Sequence, residues 1–281
     1  MVTFAAVKKA ADILAEAMDR VSSELLLVIT GAGISLASGI PTFRGSDKGA
    51  VWAKDVTELG TYRYFRQDPV GSWSWYLRRF DAVQGARPNP AHKALTAIEE
   101  WQLARGGEFR LITQNIDTLH EAAGSVNLIK VHGTADRVRC AKHGCPNGSP
   151  RGSLQRSSVN LDAFRENPDL SNLPRCPTCG DLLRQHVLWF DEYYNEHMDY
   201  GFELAQKSIQ QMGLGLFVGT SFSVGITEMA LQSGSLWSIP MFAVDPSAAF
   251  RLPGLELLEA RAEELLPEVC RRLEIPLEPD S

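Results

Sequence analysis

Short apolar runs alternating with amphipathic helical patterns, and two stretches that break the alternation, predict an α/β protein. The expected fold is a Rossmann-like doubly wound parallel sheet with a smaller domain inserted. Phe4, Val7, Ala11, Leu14, Met18 and Val21 recur at three- and four-residue steps, so the chain begins with a helix that has one apolar face. Leu25 to Ile29 then form a continuous apolar run, the pattern of a strand buried on both faces. Further runs lie at Arg110 to Thr113, Leu128 to His132, Gly215 to Gly219 and Met241 to Asp245, with His186 to Phe190 as another candidate strand. Ala94, Leu95, Ile98 and Trp101 mark one intervening helix; Leu257, Leu258, Ala262, Leu265 and Leu266 mark another.

Residues 47–87 are rich in Tyr, Trp, Phe and Arg and read as a helical module. Residues 137–183 carry four of the five cysteines, and within them Asn147 to Ser158 has almost no apolar content and reads as a mobile loop. The expected division is therefore 1–46, 88–136 and 184–281 for the sheet domain. Residues 47–87 and 137–183 together form the small domain.

Composition sets the outer limits. The chain has 281 residues, 44% hydrophobic and 22% charged, which suits a globular protein with a full core. A net charge of −6 gives no chain-wide electrostatic case for binding nucleic acid. No apolar run reaches the ~18 residues of a membrane span. The first residues lack the order of a signal peptide, so a cytoplasmic location is expected. Five cysteines without a secretion signal do not suggest a disulfide scaffold.

Cys176-Pro177-Thr178-Cys179 is a knuckle, and Cys140 and Cys145 form its partner pair. Two such pairs predict tetrahedral Zn²⁺ on four thiolates, a closed and therefore structural site. His143 is the competing fourth ligand, and Cys270 falls on the C-terminal helix as a core or surface residue.

After the first strand come Gly31-Ala32-Gly33-Ile34-Ser35 and then Ser38 to Gly45. Glycines at a strand's carboxyl end let the backbone approach a pyrophosphate, and the next helix offers its N–H groups. A lone GxG is weak evidence. The whole block, however, resembles the first signature of the sirtuins, the NAD-dependent protein-lysine deacylases. Thr113 to His120 resembles the second signature, Val131-His132-Gly133 the catalytic-histidine block and Gly219-Thr220-Ser221 the adenosine-side loop, all in the family's order. The resemblance covers residues 20–270.

This resemblance implies a reaction in which the acyl-lysine oxygen displaces nicotinamide from NAD. An alkylamidate forms, and a histidine base activates a ribose hydroxyl that captures the acyl group. The products are lysine, nicotinamide and O-acyl-ADP-ribose. His132 corresponds to the base, and Asn115 and Gln114 to the residues that hold the nicotinamide ribose. Asp117 corresponds to the acceptor for the carboxamide. Further NAD contacts are implied for Gly31, Ala32, Gly33, Ser35, Thr42, Phe43, Arg44, Ile116, Gly219, Thr220, Ser221, Asp245 and Ala262. Asp245 stands where the family usually has Asn; a carboxylate there accepts from ribose hydroxyls and repels a 2′-phosphate, favouring NAD over NADP. The competing reading of Asn115 or Asp117 is a helix cap.

Tyr76 and Arg79 lie three apart on a predicted helix, the spacing of the Tyr-x-x-Arg pair in sirtuins that remove succinyl, malonyl and glutaryl groups. Arg79 can bind a distal carboxylate in two parallel hydrogen bonds, with Tyr76 donating a third. Val187, Leu188, Trp189 and Phe190 resemble the segment that pairs with the backbone of an acyl-lysine peptide or protein. Gln185 replaces the family's Pro and Asp191 its Gly. These departures motivate a second reading, ADP-ribosyl transfer or NAD hydrolysis on the same fold; an NAD-sensing module is a third. Nothing in the sequence assigns an oligomeric state.

Overall fold

The computed structural model describes residues 3–41, 57–247 and 252–277. The first helix, α1 (Phe4–Arg20), is capped by the Thr3 hydroxyl and buries Val7, Ala11, Leu14 and Met18, while Phe4 is exposed. It leads into β1 (Leu25–Thr30), buried along its whole length. Because successive strand residues point to opposite faces, Leu26 and Val28 enter one core and Leu27 and Ile29 the other.

Five more strands complete a parallel sheet: β2 (Glu108–Thr113), β3 (Leu128–Lys130), β7 (Met212–Val218), β8 (Met241–Val244) and β9 (Leu255–Leu258). Their order is β3-β2-β1-β7-β8-β9. One core lies under α1, α4 (Pro90–Ala104) and α9 (Ala262–Arg272). The opposite core lies under α7 (Phe202–Gln211) and α8 (Gly225–Trp237). The chain builds outward from β1 on one side through β2 and β3, and on the other through β7, β8 and β9. The carboxyl ends of β1, β2 and β7 therefore meet at the point where the winding reverses, the usual ligand crevice of such sheets.

A second, antiparallel sheet has the order β5-β4-β6, from β4 (Gly133–Cys140), β5 (Leu154–Gln155) and β6 (Leu183–Val187). Around it pack α2 (Tyr62–Gln67), α3 (Pro69–Val83) and α6 (Asp162–Glu166), joined by Phe65, Trp73, Tyr76, Phe80, Phe164 and Trp189. The Trp73 indole donates to the Leu183 carbonyl at 2.8 Å, tying the helical module to this sheet.

Four expectations change. The candidate strand at His186 to Phe190 is instead Leu183–Val187, and it belongs to the antiparallel sheet. β6 is buried along its whole length although Arg184, Gln185 and His186 are polar, so it leaves no apolar run in the sequence. Leu257 and Leu258 lie in the edge strand β9, and the last helix starts only at Ala262. Asn147 to Ser158 contains the short strand β5 and a 3₁₀ turn, held by backbone pairing and by Leu154 against the small core. The boundary drawn between 136 and 137 falls inside β4. Cys270 is a core residue of α9.

Candidate active site

The sequence blocks that lie far apart along the chain meet at the reversal point. Gly31 N–H donates to the Val218 carbonyl at 3.0 Å, and Gly33 N–H to the Gly219 carbonyl at 2.9 Å. A Cβ on Gly31 would lie 2.7 Å from Gly219 O, and one on Gly33 2.6 Å from Gly219 Cα. The steric demand for these glycines is thus met inside the chain, by the crossing of two loops. Gly219 itself has φ +60°, in the left-handed region that favours glycine.

After β2, Gln114 Nε2 donates to Thr30 O at 3.2 Å and to Thr220 Oγ1 at 3.1 Å, which ties together the ends of β1, β2 and β7. Asn115 is buried; its Nδ2 donates to Gly31 O and to Ser35 Oγ, each at 3.1 Å. Ser35 Oγ donates in turn to Asp117 Oδ2 at 3.0 Å. Asp117 Oδ1 also accepts from Leu119 N–H at 3.1 Å, just ahead of α5 (Leu119–Ala123), whose N-cap position is Thr118. Asp117 thus bonds the helix's first N–H without being its N-cap residue. The Ile116 carbonyl accepts from Ala135 N–H at 2.7 Å, linking this loop to β4.

His132 lies between the two sheets. Its Nδ1 is 2.8 Å from the Gln114 carbonyl. A carbonyl only accepts, so Nδ1 carries the proton and Nε2 the lone pair. Burial pushes the His132 pKa below its ordinary value, against the opposing bond to Gln114. Nε2 faces the Tyr194 hydroxyl at 3.4 Å, and the two rings stack at 5.7 Å. Phe202 backs Tyr194 at 5.0 Å. Sequence reading passed over Tyr194: only the aromatic run around it gave a signal, and no spacing linked it to His132.

Leu188 N–H donates to the His132 carbonyl at 2.9 Å, so the segment after β6 runs beside the histidine. Val187 and Trp189 are buried and Phe190 is exposed. Phe190 N–H is taken by Gly60 O at 3.0 Å and Trp189 N–H by Glu192 Oε2 at 3.0 Å. Three successive N–H groups of this segment are thus bonded within the chain. Asp191, the departure from Gly, accepts from Tyr62 N–H at 2.6 Å and Arg63 N–H at 3.0 Å, which caps α2. Glu192 bonds Arg184 through both oxygens and lies 3.4 Å from Arg139. Burial works to raise its pKa, but the two guanidiniums hold the carboxyl below its usual range.

Tyr76 is buried against Trp75, Phe80 and Trp189, with ring centroids 4.7, 5.5 and 6.3 Å away. Burial pushes its phenol pKa upward, so it remains a neutral donor. The Arg79 guanidinium lies over the Trp75 ring at 3.5 Å. Thr220 is buried, whereas Ser221 is exposed and bonds Ser223 at 2.6 Å. Asp245, at the end of β8, accepts from Ser247 N–H at 2.8 Å, and Ala262 is buried at the start of α9. Ala32 follows Gly31 as the first residue of a 3₁₀ turn. Thr42, Phe43 and Arg44 lie outside the described residues. A cleft lined by Ile40, Phe80, Asp117, Thr118, Ala135 and Arg156 opens between the two sheets.

The four cysteines come together in the small module. Cys140 Sγ is 3.5 Å from Cys179 Sγ, and Cys145 Sγ 3.7 Å from Cys176 Sγ; all four sulfurs lie within 4.8 Å of one another. Tetrahedral Zn²⁺ with bonds of about 2.3 Å needs sulfur separations of about 3.8 Å, so the set fits the ion. His143 is exposed and outside the cluster.

The sequence profile described as "Sir2 family" matches residues 31–225. The chain belongs to the Sir2 family. This sirtuin is 38% identical over 261 residues to an NAD-dependent protein deacylase of Pyrococcus abyssi, covering 90% of this chain and 94% of that one. It is also 38% identical over 253 residues to NAD-dependent protein deacylase 1 of Pseudomonas aeruginosa, covering 88% and 93%. Among solved structures, a Sir2 homologue in complex with NAD superposes with a TM-score of 0.73 at 30% identity, covering 94% of this chain and 93% of that one. A Sir2–p53 peptide–NAD⁺ structure superposes with a TM-score of 0.72 at 26% identity, covering 94% and 98%.

Proposed function

We propose that this sirtuin is an NAD-dependent protein-lysine deacylase that prefers acyl groups ending in a carboxylate. The observation that carries the reading is His132. Its proton is held on Nδ1 by the Gln114 carbonyl, and its Nε2 lone pair stands at the reversal point of the sheet. NAD would be held by the loops ending β1, β2 and β7, with Gln114, Asn115, Ser35, Asp117 and Thr220 fixed by their mutual bonds. When bound, NAD supplies the ribose hydroxyl that receives the acyl group. His132 Nε2 accepts that hydroxyl's proton; the depressed pKa keeps the base free at neutral pH. Tyr194 donates toward the same lone pair until a substrate hydroxyl replaces it. Zinc on Cys140, Cys145, Cys176 and Cys179 would hold the small module that carries Tyr76 and Trp189.

The acyl preference rests on Tyr76 and Arg79. Trp189 connects them to the base, since it packs on Tyr76 and its neighbour Leu188 donates to His132. A guanidinium laid flat on Trp75 keeps a fixed plane for a carboxylate. The clustered, unbridged thiols suit a reducing compartment, and a cytoplasmic location is part of this reading.

The test is NAD-dependent nicotinamide release from matched acetyl-lysine and succinyl-lysine peptides, with a no-peptide control. The succinyl peptide is expected to turn over faster. Arg79→Met should lower desuccinylation about 10- to 100-fold, the value of a charged hydrogen bond, and deacetylation far less. Equal losses for both peptides would remove the carboxylate clamp. His132→Ala should cut acyl transfer about 10²- to 10⁴-fold while NAD still binds. Release that ignores both peptides would turn the assignment to ADP-ribosyl transfer or NAD hydrolysis.

A further inference from the structure

A second group of metal-ligating side chains lies apart from the cysteines. His186 sits in β6, and His197 and Asp199 lie on the turn that follows it in the chain. His186 Nε2 is 3.5 Å from Asp199 Oδ2, and His197 Nδ1 is 3.7 Å from the same oxygen. The three donor atoms lie within 4.8 Å of one another. These separations are long for N–H···O bonds. They match the edges of a tetrahedron around an ion with bonds of about 2.0–2.1 Å, which are about 3.4 Å.

The tautomer of one ring is also fixed. His197 Nε2 is 3.1 Å from the Gly152 carbonyl, so Nε2 carries the proton and Nδ1 the lone pair. Asp199 N–H donates to that Nδ1 at 3.2 Å and Ser153 Oγ to Asp199 Oδ2 at 3.2 Å, bonds that an ion at these atoms would replace or share. A carbonyl on the far ring nitrogen is the usual outer support of a metal-bound histidine. The two rings are 2% and 0% exposed, whereas Asp199 is 45% exposed and offers a path for an ion from solvent.

Charge decides whether a cation is tolerated. Arg137, Arg139 and Arg184 all act on His186. Glu192 lies between Arg139 and Arg184, Glu196 acts on Arg139, and Asp199 is in the group itself. Part of the guanidinium charge is therefore offset before an ion enters. Two neutral imidazoles favour a borderline transition metal over calcium or magnesium.

We propose that His186, His197 and Asp199 form a second divalent-metal site of the zinc type, with an open coordination position toward solvent. The ion would tie the Gly152 loop and the 197–199 turn to β6, whose end runs beside His132.

The test is metal content of the whole chain equilibrated with zinc and freed of excess. Two zinc ions per chain are expected, falling to one in Asp199→Asn and in His197→Gln. One ion per chain in the unaltered protein overturns the proposal, as does a content that neither variant changes. Cobalt titration of the unaltered protein gives a reading that depends on no variant. One equivalent should bring the intense thiolate-to-cobalt absorption of the cysteine site. A second should add visible bands without more thiolate absorption. Saturation of every band at one equivalent would also overturn the site.

Discussion

The two sheets of this sirtuin are held together by different means. The parallel sheet buries aliphatic side chains on both faces, under three helices on one side and two on the other. The antiparallel sheet has a smaller core of aromatics, supplemented by four cysteines and a buried trio of Arg139, Arg184 and Glu192. Apolar burial is additive and non-directional, so the first region can lose one contact and keep its shape. Coordination and buried charge are conditional, because removing one member leaves the others unpaid in a dry interior. His132 and its loop stand where the two regions meet, so the site depends on the weaker of them.

The largest expected effect follows from that difference. Cys176→Ser should empty the cysteine centre and unfold the small module. Structural zinc binding contributes about 10–16 kcal/mol to folding in small zinc domains. Trp73, Trp75 and Trp189 lie in the small core, so tryptophan emission should shift to the red, with deacylation lost. Far-UV circular dichroism should retain the signal of the parallel-sheet domain. Unchanged emission and activity in a zinc-free variant would remove the contrast between the regions.

Glu192→Ala comes next. The carboxylate is 8% exposed and serves two guanidiniums that are 3% and 2% exposed. Its loss strands both, at a cost of about 3–5 kcal/mol in denaturant unfolding. A loss below about 1 kcal/mol would mean that solvent reaches the trio and that the small core is looser than its packing implies.

How much of this could be read from the sequence follows the same division. β1 and α1 were legible because a strand buried on both faces and a one-sided helix each leave a periodic record. The NAD-site blocks and the four cysteines were legible because their spacing is tied to chemistry. Other features were hidden, because their partners are distant in sequence. Asp191 looked like a departure in the peptide groove, yet its carboxylate caps α2, 129 residues away from Tyr62. The crossing of Gly31 and Gly33 with Gly219 also leaves no mark in their own neighbourhood. Tyr194 was missed for the same reason.

Acid should unsettle the parallel-sheet region gradually rather than abruptly. His92 and His120 pack beneath it with ring centroids 4.8 Å apart, both buried. Burial lowers both pKa values, His92 to about 4, and the neighbouring His92 adds to the effect on His120. A histidine whose folded pKa is depressed takes up its proton first in the unfolded chain. Stability is therefore lost as pH falls below the ordinary value of 6.5, and the loss for His92 ends near pH 4. Each such group contributes about 1.4 kcal/mol per pH unit inside its window. Urea midpoints measured from pH 7 to 4.5 should fall, and His92→Gln should flatten the slope. A flat profile in the unaltered protein would contradict the burial of this pair.

The smallest expected change runs in the opposite direction. Gln185 is fully buried in β6, and neither its Nε2 nor its Oε1 has a hydrogen-bond partner among the described residues. A buried amide without partners costs free energy, whereas an apolar side chain of similar shape at the same place does not. Gln185→Met keeps the length and the backbone donor, and should stabilise the protein by about 1 kcal/mol at fixed zinc. The gain should appear in unfolding of the small module and leave the parallel sheet unchanged. A destabilised Gln185→Met would mean that the amide is satisfied by water inside the module. In that case the small core is partly polar, and its dependence on zinc and on Glu192 reflects a hydrated interior as well as a small one.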